Sequence, residues 1–222
     1  MWSTNLDCIK CMTYNKDFEF LLLYCTFIKN TVDNEKNTVK ALYNRTINML
    51  TEEQREEFAN CSDEERYYIN YIFPSIQWSS MFITAFNLFE KTLSDACIIS
   101  GAISNINIKL NDIRGKGIER AKTYLSKVQN IHEPFRKKEW NQAKNYSKIR
   151  NVLSHTYGEL DLHNDAHKEI VKIAKACSGL KVINQDIKLY SAGIIIEEQL
   201  VVNSISIYKT IIDLVYKELS QK

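Results

Sequence analysis

Ser79-Ser80-Met81-Phe82-Ile83-Thr84-Ala85-Phe86-Asn87-Leu88-Phe89-Glu90-Lys91-Thr92-Leu93 is the most apolar stretch of the chain, and its pattern decides the architecture. On a helix at about 100° per residue, Met81, Phe82, Ala85, Phe86, Leu88, Phe89 and Leu93 leave only a narrow polar strip at Ser80, Thr84, Asn87, Lys91 and Ser94. A helix apolar over most of its circumference must be enclosed by other helices. The reading extends it over residues 75–100, through the middle of an all-α antiparallel bundle. Glu90 is the exception, because it lies off the polar strip between Ile83 and the Phe86 and Cys97 rows. A half-buried carboxylate requires a partner. Arg150 is the candidate, and solvent at the helix edge is the alternative.

Outward from this helix the chain continues in helical grammar. With 6 Gly and 2 Pro in 222 residues there is little punctuation, which favours long helices. Residues 17–50 carry Phe18, Leu21, Cys25, Ile28, Val32, Val39, Leu42 and Leu50 in three- and four-residue steps, the mark of one long N-terminal helix of about 50 Å with a bend near Asn34. Thr51 before Glu52-Glu53-Gln54 reads as a new helix start, and Ser62-Asp63-Glu64-Glu65 repeats that capping grammar before a second short helix, which Pro74 ends. Helices follow over 118–129 and 138–153, the latter with Trp140, Ala143, Tyr146, Ile149, Leu153 and then Tyr157 as its buried stripe and Gly158 as its stop. Another covers 165–177. The β-branched runs 182–184, 187–189 and 193–196 allow a small hairpin. The last helix, 197–219, has an apolar face wide enough for a central or interfacial position. A single domain over 1–222 accounts for the pattern, with 1–73 as a helical extension packed on a 74–222 core.

Composition removes several classes of function. The net charge of +2 gives no global nucleic-acid signal, yet charge is uneven: residues 52–66 hold seven acids against two Arg, and 136–150 hold six bases against Glu139. The six Cys lack the density of a disulfide scaffold and read as reduced thiols of a cytoplasmic protein. Cys8 and Cys11 have half of a zinc spacing with no second pair, and His163 and His167 lack a third ligand, so neither a metal nor another cofactor is expected. No signal peptide is indicated, and the apolar run 20–28 is far short of a membrane span. P-loop, dinucleotide, serine-hydrolase and zincin motifs are absent.

Chemistry gathers in Ser147-Lys148-Ile149-Arg150-Asn151-Val152-Leu153-Ser154-His155-Thr156-Tyr157-Gly158. Arg carries a permanent planar charge suited to phosphate oxygens, and His can give and take a proton near neutral pH. Lys144 and Lys148 on the same helix are candidate RNA-backbone contacts. On an unbroken helix Arg150 and His155 point about 140° apart, whereas Asn151 and His155 share a face. Three resolutions stand open: the Arg side chain reaches around, the helix loosens before His155, or the groups converge from two subunits. A purely structural account of the same residues is also consistent, with Arg150 at the core edge and His155 near a helix C-terminus, where its charged form suits the dipole.

The spacing Arg150-x4-His155-x-Tyr157, with Asn151 straight after the Arg, resembles the signature of the HEPN superfamily (higher eukaryotes and prokaryotes nucleotide-binding), and in particular stand-alone bacterial HEPN ribonucleases and toxins, over roughly residues 74–219. The resemblance implies an HEPN-like helical bundle, a homodimer, and metal-independent endoribonuclease activity on RNA in a bacterial defence or toxin–antitoxin setting. It makes Arg150 and His155 catalytic, with Asn151, Tyr157 and Glu90 in support. It also implies an alternative, a non-catalytic module paired with a nucleotidyltransferase, sensor or antitoxin partner, with Tyr157 a modification target; a purely structural helical adaptor is a third possibility.

Overall fold

A computed structural model describes residues 3–184 and 191–221. It is an all-α bundle with one small three-stranded sheet. The apolar helix of the opening stretch is α3 (Phe73–Ile103), and it lies along the last helix, α8 (Glu198–Leu219), at the centre. Their contact is aromatic: Phe89 stacks on Tyr208 with ring centroids 4.5 Å apart, and Phe86 meets the same ring edge-on. Each such pair adds about 0.5–1.5 kcal/mol beyond the area it buries. Around this pair pack α1 (Ser3–Ile47), α4 (Gly117–Lys127), the short α5 (Glu133–Arg136) and α6 (Lys138–Thr156).

The long N-terminal helix is continuous, with no break near Asn34. Its first half is part of the core, since Phe18, Leu21, Cys25, Ile28 and Val32 join the apolar cluster of α3 and α8. Beyond Val32 it runs on beside α2 (Glu52–Tyr67), which has no buried residue, and the two halves of this arm meet through Tyr43 stacked on Phe58. Thr51 caps α2 as expected: its hydroxyl accepts from Gln54 N–H while the Gln54 side chain accepts from Thr51 N–H. The second capping signal is not used. Ser62 lies inside α2 with its hydroxyl turned back to the Ala59 carbonyl, so 52–73 is not two short helices. Pro74 likewise does not end a helix. A π-helical turn over Tyr68–Ile72 leads directly into α3, and this wider turn precedes Pro74, which has no N–H to donate back to it.

After α6 comes β1 (Glu159–Asp161), then α7 (Asp165–Ala176) with Asn164 as its cap, then the hairpin β2 (Leu180–Asn184) and β3 (Ser191–Ile196). The strand expected at 187–189 falls outside the described residues. The sheet order is β1-β3-β2, all antiparallel, with Leu160 opposite Ala192. β1 is the strand the sequence did not announce, because three residues alternating exposed, buried, exposed are too short to show a period. No helix among the described residues is long and apolar enough to cross a membrane.

Candidate active site at the C-terminal end of α6

Helix α6 carries its chemistry on two faces. Lys144, Lys148, Asn151 and His155 recur at four-, three- and four-residue steps and form one outward stripe, while Trp140, Ala143, Tyr146, Ile149, Val152 and Leu153 are buried against α3 and α8. Arg150 stands at the edge between them. Its Nη2 donates to Asn87 Oδ1 on α3 at 3.0 Å, its Nη1 donates to Asn151 Oδ1 at 3.3 Å, and its Cζ lies 5.5 Å over the Phe86 ring. The long side chain therefore bends toward the outward stripe, and Asn151 links it to the face on which His155 stands one turn later. Helix α6 continues unbroken to Thr156, so of the three resolutions of the 140° problem the loosening of the helix before His155 is not the one used.

The partner expected for Arg150 was Glu90, and this is corrected. Asn87 and Glu90 lie three positions apart on α3, about 60° around its axis. The former faces α6, while the half-buried carboxylate of the latter faces the first turn of α4, where Glu90 Oε1 would stand 3.2 Å from a Cβ built on Gly117. A carboxylate at a helix N-terminus is favourably placed, since the exposed N–H groups there carry partial positive charge. Gly117 permits the approach because it has no Cβ, and its φ of +57° suits glycine. Arg150 consequently has only amide oxygens as hydrogen-bond partners among the described residues, and its Nε is buried without one. Its charge is anchored without being neutralised.

The end of α6 is fixed by the sheet. Tyr157 adopts the left-handed conformation at φ 53° and ψ 28°, Gly158 follows at φ 86°, and the N–H groups of both turn back to the Val152 carbonyl. Ile194 N–H on β3 donates to the Gly158 carbonyl at 3.0 Å, and Thr156 Oγ1 lies 2.7 Å from the Glu159 carbonyl. A Cβ on Gly158 would stand 3.2 Å from Ile194 Cγ1, so β3 packs directly against this turn. His155 is exposed and its ring makes no hydrogen bond among the described residues.

Tyr157 is 96 % exposed, which corrects its assignment to the buried stripe. Extrapolating the helix one turn past Leu153 would bury it, but the reversal of φ swings the side chain outward. A bulky residue in this conformation costs about 1–2 kcal/mol that glycine would avoid. Of the two lysines, Lys144 has no ion-pair partner among the described residues, whereas Lys148 Nζ lies 2.7 Å from Glu169 Oε1 on α7. Lys148 is therefore tied to α7.

No protein-family model, characterised protein or solved structure matches the chain. Asn87 and Phe86, which seat Arg150, were legible only as members of the α3 pattern. Nothing local in the sequence pairs them with a residue 63 positions away. Asp161 ends β1, His163 lies in the turn that follows and His167 is in the first turn of α7, where its Nδ1 accepts from Asp161 N–H at 2.7 Å. These contacts are structural for that turn, and no three His, Cys, Asp or Glu side chains converge among the described residues. The side chains of Cys8 and Cys11 fall outside that description.

Proposed function

We propose that the chain is a metal-independent endoribonuclease. The observation that carries this reading is the Arg150 guanidinium, held by two amide oxygens, unpaired with any carboxylate, and linked through Asn151 to the face of the exposed His155. An anchored but uncompensated guanidinium suits a phosphodiester, whose non-bridging oxygens can accept from it in parallel. With Asn151 Oδ1 occupied by Arg150, its Nδ2 is left to donate to the same phosphate.

The reaction follows from these groups. An imidazole takes the proton from a ribose 2′-hydroxyl, the 2′-oxygen attacks the adjacent phosphorus, and the bond from phosphorus to the 5′-oxygen breaks as that oxygen gains a proton. Arg150 and Asn151 stabilise the charge that builds on the non-bridging oxygens. The products are a 2′,3′-cyclic phosphate and a 5′-hydroxyl. DNA is not a substrate, because it has no 2′-hydroxyl to attack. One His155 cannot readily be base and acid in a single passage, so a second copy of the chain supplies the second imidazole. Lys144 steers the RNA backbone onto α6. The resemblance to HEPN proteins supports a bacterial defence or toxin–antitoxin role, in the cytoplasm.

A second reading draws on the exposure of Tyr157. An accessible phenol in a fixed turn suits a non-catalytic module whose partner, a nucleotidyltransferase or an antitoxin, acts on that hydroxyl. Incubating purified chain with RNA in chelator separates the two. The proposed enzyme yields cyclic-phosphate ends and loses this activity in folded His155→Ala and Arg150→Ala variants, whereas a module leaves RNA intact and co-purifies with its partner.

A further inference from the structure

We infer that the apolar face formed by the first half of α1 and the start of α3 is the contact between two copies of this chain. Between these helices runs a groove of about 530 Å³ whose walls include Phe20, Tyr24, Phe27, Ile76, Met81 and Thr84 and no charged side chain. Phe20 and Phe27 project beside it, 65 % and 63 % exposed, with Leu23 next to them on α1. The face does not end at the groove. Ile76 is one turn from Phe73, the Phe73 ring lies 6.2 Å from Tyr68, and Tyr67 packs on Tyr71, all of them exposed. An isolated exposed apolar residue is ordinary, but a continuous face of this kind marks an interaction site.

Area and charge argue for a second copy as the occupant. About half of each of these large side chains is open, so the face offers on the order of 1,000 Å² per chain, which matches the roughly 800 Å² per partner of a stable interface. A two-fold contact brings like against like, so any charge in its centre would face its own copy. Here the centre is uncharged. Charge is instead segregated: α2, which borders the face, has seven acids and two Arg, a net of −5, and since the whole chain is +2 the remainder is +7. The face also leads to the candidate site. Gln77, Ser80 and Thr84 line the groove along one strip of α3, and Asn87, the anchor of Arg150, is the next residue of that strip.

The face is defined without reference to RNA, and only its place beside Asn87 rests on the reading above. Sedimentation of the full chain at micromolar concentration tests it. Wild type is expected to be dimeric, and Phe20→Glu and Phe27→Glu are expected to be monomeric with unchanged helical content, since both side chains are exposed. Leu42→Glu, on the arm away from the groove, is expected to stay dimeric. A monomeric wild type would overturn the inference and leave the face to an apolar helix of another protein, and a dimer that survives both Phe→Glu changes would move the contact elsewhere. Neither result depends on whether RNA is cut.

Discussion

Arg150 and Asn87, 63 positions apart in sequence, are joined by a 3.0 Å hydrogen bond that ties the end of α6 to the polar strip of α3. The bond fixes the direction of the guanidinium without cancelling its charge. Asn87 is therefore a positioning residue, and Asn87→Leu should release Arg150 while leaving the bundle intact. RNA cleavage is expected to fall by about 10²-fold, the usual cost of a small misplacement. Stability should change by no more than about 1 kcal/mol, the net worth of one hydrogen bond. Kinetics beside a urea titration checks both, and unaltered cleavage would detach Asn87 from the site.

Arg150→Lys keeps the charge and loses the fork. A lysine has no planar pair of donors with which to reach Asn87 and Asn151 together, so cleavage should fall nearly as far as in Arg150→Ala, by about 10²–10³-fold. Activity close to wild type in Arg150→Lys would mean that charge alone is sufficient and that the amide anchors are incidental.

Tyr157→Gly separates stability from function. Glycine adopts φ 53° freely, so the variant should gain about 1 kcal/mol, a rise in Tm of about 2–4 °C for a chain of this size. If the phenol contacts RNA, the same change lowers cleavage. A melting temperature unchanged or lowered by the substitution would contradict the strain assigned to this turn.

Gly117→Ala should destabilise the protein by about 1–2 kcal/mol. Alanine at φ +57° is strained, and its Cβ would press on Glu90 Oε1 at 3.2 Å. The midpoint of urea unfolding reads this directly, and an unmoved midpoint would place Glu90 elsewhere.

Three tyrosines set an alkaline limit. Burial is the main reason that Tyr14 and Tyr146 are pushed up to about 12, with Asp95, hydrogen-bonded to Tyr14 at 2.9 Å, adding to the first. Burial also raises Tyr208. In the unfolded chain a phenol ionises near pH 10. A group whose folded value is raised contributes stability that is complete below the unfolded value and is lost as pH climbs through the folded one. The contribution of these phenols should therefore be complete below about pH 10 and be lost from there to about 12, so that Tyr146→Phe falls less steeply than wild type across that interval. Thermal melts across that interval check it, and identical slopes in variant and wild type would contradict it.

The bundle was legible because its longest signals are periodic. The apolar rows of α3 and α8, the cap at Thr51 and the stop at Gly158 each bind neighbouring residues to one local geometry. What the sequence hid depends on contacts between distant segments or on the summed context of a long helix. Ser62 has the residues of a cap, but a helix already running from Glu52 gains more by continuing than by breaking there. Pro74 punctuates a chain unless the turn before it widens, as Tyr68–Ile72 does. The charge on Arg150 could be seen, and its partner was placed one turn away from the true one, because the rotation that presents Asn87 rather than Glu90 to α6 is set by packing along the whole helix. Tyr157 left the buried stripe through a single change in the sign of φ.

The central claim is that Arg150 and His155 act together on a phosphodiester with a ribose 2′-hydroxyl as nucleophile. The most direct measurement is the end chemistry of RNA incubated with purified chain in chelator, beside His155→Ala. That variant should fold as wild type, because His155 is exposed and unbonded, and should lose about 10²–10⁴-fold in rate. The account predicts 2′,3′-cyclic phosphate ends that disappear with the imidazole. Cleavage at the wild-type rate by His155→Ala, or no cleavage of any RNA by the wild-type chain, would contradict it.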